Sequence, residues 1–141
     1  MNCADMTALI DAMDEENVED LLALFAGVEL TIRCPPRSGL VMLTVKDSFE
    51  TDFHLGEVLV TEARVLFRGC EGFGMAMGEA PRKALARAAA DAVLRCPEPT
   101  AIQENLVARL KQEAVTLNRR LAENAALIAS TKVNFDLMSG A

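Results

Sequence analysis

Apolar residues recur at helical intervals over residues 7–26. Leu9, Ile10 and Met13 form one short face, the run Asp14-Glu15-Glu16-Asn17 breaks it, and Val18, Leu21, Leu22 and Phe25 resume it. Gly27 is a stop signal, so residues 1–27 read as a helical pair laid over one face of a sheet. The period then changes to two. Val28, Leu30 and Ile32 alternate with Glu29, Thr31 and Arg33, the pattern of a half-buried strand. Cys34 to Gly39 contains Pro35 and Pro36, which lack N–H donors, and reads as a turn. Leu40 to Val45 is the next strand, and Lys46 to Asp52 is polar enough for a loop. Residues 53–68 form a long strand with a bulge expected at Gly56. Gly69-Cys70-Glu71-Gly72 turns the chain into a returning strand, Phe73 to Gly78. Strands joined by short turns pair antiparallel, so 28–78 predicts an antiparallel sheet of about four strands.

Pro81 suits the first position of a helix over 81–96. Ala84, Leu85, Ala88, Ala89, Ala92 and Val93 give it a face of small residues, and Lys83, Arg87, Asp91 and Arg95 line the opposite side at i,i+4 spacing. Pro97 and Pro99 end it. Thr100-Ala101-Ile102-Gln103 is a capping-box signature, and neither Gly nor Pro interrupts residues 100–130. Such a helix spans roughly 45 Å, against about 37 Å for a compact domain of this size. Val107, Leu110, Ala114, Leu117, Leu121, Asn124 and Ile128 follow 3-4-3-4 spacing, a heptad seam with one polar position. The seam reads either as a face folded back on the sheet or as a docking surface for another chain, with Val107, Leu110, Leu117, Leu121 and Ile128 as its contacts. Residues 131–141 are left as a tail. The expectation is one α+β domain over residues 1–141.

Composition narrows the function classes. The chain has 141 residues, 14 Lys+Arg against 21 Asp+Glu, and a net charge of -7. An acidic chain with six Phe and neither Trp nor Tyr lacks the cations and stacking rings that nucleic-acid binding requires. No apolar run approaches membrane-spanning length, and the first residues do not have the form of a secretory leader. Cys3, Cys34, Cys70 and Cys96 stand apart, with a single histidine in the chain. Zinc needs paired ligands at short spacing, so no metal site is expected. Isolated cysteines without a leader predict the reduced thiols of a cytoplasm.

The glycine-rich stretch 69–78 matches neither phosphate motif. Met77 stands where a dinucleotide fingerprint needs Gly, and Met75 and Glu79 stand where a P-loop needs Lys. Period two fits better: Phe73, Met75 and Met77 face one way, and Gly74, Ala76 and Gly78 face the other, where an Ala-rich helix can sit close. Arg82 and Lys83 at the start of that helix form a candidate anion site, against the ordinary reading of solvated cations. His54 has Glu57 three residues away, on the opposite side of a strand. A hydrolase using His54 and Glu57 therefore lacks its geometry.

The stretch Phe53-His54-Leu55-Gly56-Glu57-Val58-Leu59-Val60-Thr61-Glu62-Ala63-Arg64-Val65 resembles the PhnG family of the bacterial carbon–phosphorus lyase system. So do Gly72-Phe73-Gly74-Met75-Ala76-Met77-Gly78 and Ser130-Thr131-Lys132-Val133-Asn134-Phe135-Asp136-Leu137-Met138. The residues carrying the signature are Gly56, Glu57, Thr61, Gly72, Gly78, Val133 and Phe135. The order of elements, including Ala88-Ala89-Ala90-Asp91-Ala92, resembles the family along nearly the whole chain. Glu62 departs from it, since the family members compared carry Arg after the Thr; if that Arg contacts a phosphate or a partner carboxylate, the contact is missing or reversed here.

The resemblance implies an accessory subunit, working with PhnH, PhnI, PhnJ and PhnL type proteins. In that system adenine is displaced from ATP by a phosphonate, giving ribose 1-phosphonate 5-triphosphate. A radical subunit, PhnJ, later breaks the carbon–phosphorus bond with an iron–sulfur cluster and S-adenosylmethionine. The resemblance gives this chain no cofactor of its own and no catalytic residue. The other class is a stand-alone effector-binding domain of a regulator, which would bind a small molecule as a single chain.

Overall fold

The computed structural model describes residues 2–139, with side chains described for residues 2–131. Asn2 starts α1 (Cys3–Ala12): its side chain accepts from Asp5 N at 2.8 Å, and its own N–H donates to Asp5 Oδ2 at 3.4 Å. This reciprocal cap moves the helix start upstream of residue 7. α2 (Glu15–Ala23) follows after Asp14, with Glu15 and Glu16 in its first turn, where carboxylates complement the helix dipole.

The sheet has three strands in the order β1-β2-β3, both pairs antiparallel. They are β1 (Leu30–Lys46), β2 (Asp52–Phe67) and β3 (Cys70–Met77). The turn expected at Cys34–Gly39 is instead part of β1, whose register against β2 shifts on either side of Cys34. β1 is an edge strand, where missing N–H donors are tolerated and bulges absorb prolines. The two strands expected on either side of the prolines are thus one, which reduces about four strands to three. A second irregularity leaves Leu55 without a register partner, beside Gly56.

α3 (Pro81–Arg95) is the centre of the molecule, buried almost continuously from Ala84 to Val93. One side lies on Ala63, Val65 and Phe67 of β2 and on Gly72, Gly74 and Ala76 of β3; α1, α2 and α4 (Ala101–Ser139) cover the other. The helical pair therefore rests mainly on α3, with α1 also reaching β3. The period-two reading of the glycine stretch matches the burial: Gly72, Gly74 and Ala76 face inward, while Phe73 and Met77 are exposed. The seat is tight. A Cβ on Gly72 would lie 2.2 Å from the Ala88 carbonyl oxygen, and one on Gly74 would lie 2.1 Å from that of Ala84.

Arg87 and Asp91, expected on an outward polar face, are both buried. Asp91 Oδ2 accepts from Phe73 N at 3.0 Å and from Arg95 Nε at 2.9 Å. Arg87 Nη1 stands 3.6 Å from Asp91 Oδ1. Arg87 also donates from Nε to Thr7 Oγ1 at 2.9 Å and from Nη2 to the Cys3 carbonyl at 3.3 Å. The pair thus bolts α1 and β3 to α3, and burial is tolerated because both charges are hydrogen-bonded.

α4 continues to Ser139, through the segment expected as a tail beyond residue 130. Its 39 residues span roughly 58 Å. Only its first half packs inward: Ile102, Leu106, Leu110, Ala114 and Leu117 join the core, and residues 118–131 are exposed throughout.

Gly74→Ala puts a methyl group where α3 already has backbone. Overpacking costs about 1–3 kcal/mol, and an obstacle made of main chain places this substitution at the upper end. A lowered urea midpoint with an unchanged slope is the expected result; an unchanged midpoint would contradict the seat described.

Candidate functional site

Three features leave the compact part of the molecule: a cleft at the start of α3, the far half of the β1–β2 pair, and the far half of α4. The cleft encloses about 420 Å³ and is lined by Glu15, Val18, Glu79, Ala80, Pro81, Arg82 and Lys83. Thr61, buried on β2, organises its floor. Its Oγ1 donates to the Gly78 carbonyl at 2.7 Å and accepts from Ala80 N at 3.0 Å, joining the β3–α3 connection to the sheet. The two predicted anion-binding cations reach this cleft but are engaged within the chain. Arg82 is ion-paired with Glu19, and Lys83 Nζ donates to the Asp11 carbonyl at 2.6 Å. The Arg82 pair is exposed on both sides, so exchanging its partner costs little. Lys83 is half-buried and fastens the end of α1 to α3.

Of the signature residues, Thr61, Gly72 and Gly78 serve the packing of β2, β3 and α3, and Gly78 has the positive φ of 73° that favours glycine. Gly56 and Glu57 lie on the far half of the β1–β2 pair. Val133 and Phe135 fall in α4, outside the residues whose side chains are described. Glu62, the departure from the family pattern, receives Arg37 Nε at 2.8 Å across the strands, and this pairing holds the Arg37 guanidinium still more firmly protonated. The reversed charge thus has a partner within the chain.

His54 Nδ1 lies 3.1 Å from Thr44 Oγ1 on the neighbouring strand, in an exposed position. Of the four free cysteines, Cys96 is buried and Cys70 half-buried. Burial pushes the Cys70 thiol above its ordinary range, aided by the adjacent Cys96 thiol. This favours the neutral thiol, the opposite of what activates a cysteine nucleophile.

Beyond Val60, β2 has β1 on one side and, among the described residues, no third strand on the other. The resulting two-stranded ribbon extends about 25 Å and leaves Leu40, Met42, Leu43, Phe53, Leu55 and Leu59 exposed. A hairpin alone is marginal in water, and this one leaves its apolar residues uncovered. The predicted seam on α4 divides. Leu110 is buried within the chain, with Val107 and Leu117 half-buried; Leu121 and Ile128 are exposed, joined by Leu127. Arg109, near Asp20 and Glu113, and Arg120, donating to Asp14 at 2.9 Å, pin the inner half to the α1–α2 region. Leu106, fully buried, is the core contact the seam reading missed; it continues the Ile102–Leu110 stripe at i,i+4 spacing. No described helix is long and apolar enough to cross a membrane.

A family model described as "Phosphonate metabolism protein PhnG" matches residues 2–140, essentially the whole chain. No curated protein matches the sequence significantly.

Two measurements check this geometry. Lys83→Ala removes a charge-assisted bond to a carbonyl, worth about 1.5–3 kcal/mol, whereas Arg82→Ala removes an exposed ion pair worth at most about 1 kcal/mol. Thermal melts should therefore separate the two variants, with Lys83→Ala the lower; the reverse order would contradict the assignment. Iodoacetamide labelling of Cys70 near neutral pH should run slower than that of a free cysteine and accelerate as pH rises into the alkaline range. Fast labelling at neutral pH would show an activated thiol.

Proposed function

The chain belongs to the PhnG family of phosphonate-metabolism proteins, and on that footing we propose that it is a non-catalytic subunit of a carbon–phosphorus lyase assembly. Its partners are PhnH, PhnI, PhnJ and PhnL type subunits. The reaction it supports is the displacement of adenine from ATP by a phosphonate. A phosphonate oxygen bonds to the ribose anomeric carbon, the bond from that carbon to adenine breaks, and ribose 1-phosphonate 5-triphosphate results. ATP is the substrate of the assembly, and the iron–sulfur cluster and S-adenosylmethionine belong to the radical subunit. The chain itself holds no resident cofactor.

The observation that supports this reading is the amount of apolar surface the single chain leaves in water. Leu40, Leu55, Leu121, Leu127 and Ile128 are each more than half exposed, on two elements that project past the core. A chain working alone has no use for such surfaces and faces aggregation because of them. A subunit covers them on assembly. The cytoplasm, where ATP is available, is the fitting compartment.

In the assembly, Arg82 is the residue able to turn toward a polyphosphate, because its bond to Glu19 is solvent-screened; Lys83 stays with α1 and adds positive potential to the cleft. Charge-assisted contacts of about 1.5–3 kcal/mol predict at least a tenfold rise in the apparent KM for ATP when Arg82→Ala is incorporated into an assembly of normal composition. An unchanged KM would return Arg82 to a purely structural role. The reading as a whole is tested with ATP and methylphosphonate. The purified chain alone should release no adenine, and the assembly should lose activity when this chain is omitted. Adenine release by the chain alone, or full activity without it, would overturn the proposal.

A further inference from the structure

The end of the β1–β2 ribbon is built rather than loose. Asp47 Oδ1 accepts from Phe49 N at 2.8 Å and from Thr51 N at 2.9 Å. Asp47 N donates to the Thr51 carbonyl at 3.0 Å, and Glu50 N to the Asp47 carbonyl at 3.1 Å. Glu50 takes a positive φ of 59° to close the turn, an uncommon conformation for a residue other than glycine. One carboxylate thus fixes residues 47–51. At their centre is Phe49, 87% exposed, the most exposed large apolar side chain in the described residues. A turn with four internal hydrogen bonds holding one aromatic ring in water is the form of a preorganised anchor. Aromatic residues dominate binding hot spots, and a rigid presenter avoids the ordering cost of association.

We propose that Phe49 is a plug that inserts into an apolar pocket with a basic rim on a different subunit of the assembly. This rests on the subunit reading above and adds the surface and the partner's chemistry. The rim follows from charge. The ribbon carries Asp47, Glu50, Asp52 and Glu57 against Lys46 and the single His54, so it meets cations favourably and another acidic surface poorly. The same argument sets aside a second copy of this chain as occupant: its net charge is -7, and the α3 cleft is edged by Glu15 and Glu79 with both cations already engaged. A stable interface takes about 800 Å² from each partner, and one Phe supplies about 150–250 Å². The cross-strand pair Leu40 and Leu59, with Met42 beside them, is therefore covered in the same contact, with Phe49 as its anchor.

The test uses the full-length chain and purified PhnH, PhnI and PhnJ type subunits. Phe49→Ala should melt like the wild type, because the ring touches solvent, and should bind the other subunits about thirtyfold more weakly, the level of a hot-spot residue. Asp47→Ala loosens the turn while keeping the ring and should also weaken binding; Asp47→Asn, which keeps an oxygen to accept both N–H groups, should restore it. Glu50→Lys with Asp52→Lys should slow association and flatten its dependence on salt. Wild-type affinity in Phe49→Ala overturns the plug while leaving the subunit reading intact. Failure of the wild-type chain to join the assembly overturns the subunit reading beneath it. Self-association of the wild-type chain that disappears in Phe49→Ala makes a second copy the occupant and overturns the proposed partner.

Discussion

The contact between β3 and α3 is the constraint on which the remaining structure depends. At Gly72 and Gly74 the strand backbone meets the helix backbone with no room for a methyl group. That approach brings α3 near enough for Asp91 to take the Phe73 N–H, and Asp91 in turn faces Arg87. Arg87 holds the first turns of α1 through Thr7 and the Cys3 carbonyl. A displacement of α3 from the sheet would break the Phe73 bond and leave two charges buried with fewer partners, which is far more costly than the loss of apolar area alone. The alanines of α3 follow from the same constraint. Enclosed by the sheet on one side and three helices on the other, the helix has space for little larger than a methyl group along most of its length.

The pattern of the chain contained this centre. The alternation of Phe73, Met75 and Met77 with Gly74, Ala76 and Gly78, followed by a proline-started alanine helix, is enough to predict a glycine face beneath small residues. Arg87 and Asp91 were harder to place, because i,i+4 charges on a helix usually mark a solvated side; only the third layer, formed by α1, α2 and α4, encloses them. Pro35 and Pro36 read as a turn because proline interrupts a ladder, yet an edge strand with shifting register accommodates both. On α4 the heptad spacing is real, but it does not reveal where the domain ends. Leu110 belongs to the chain's own core and Ile128 to the surface, although both occupy the same repeat.

The candidate surfaces were less legible still. Phe49 lies among Lys46, Asp47, Ser48, Glu50 and Asp52, and averaged over that window it disappears into a polar loop. The one signal available was an aromatic residue isolated inside an acidic turn, where neither a strand face nor a helix face requires it. The roles of Arg82 and Lys83 depend on Glu19 and the Asp11 carbonyl, partners that come from helices packed against α3 and are unrelated to it in spacing. Family membership and geometry contribute different parts here: the first gives the metabolic setting, and the second shows which parts of the chain remain uncovered.

The ribbon has a consequence for how a lone chain meets proteases. Past Leu59 its strands are hydrogen-bonded only to each other, so their pairing can part while the core, and the turn that Asp47 closes at the tip, stay intact. Extended strands that have parted are a preferred substrate for proteolysis. In the assembly proposed above this segment would be shielded, whereas in a lone chain it is exposed. On that proposal, an unassembled chain is the form a protease would cut first.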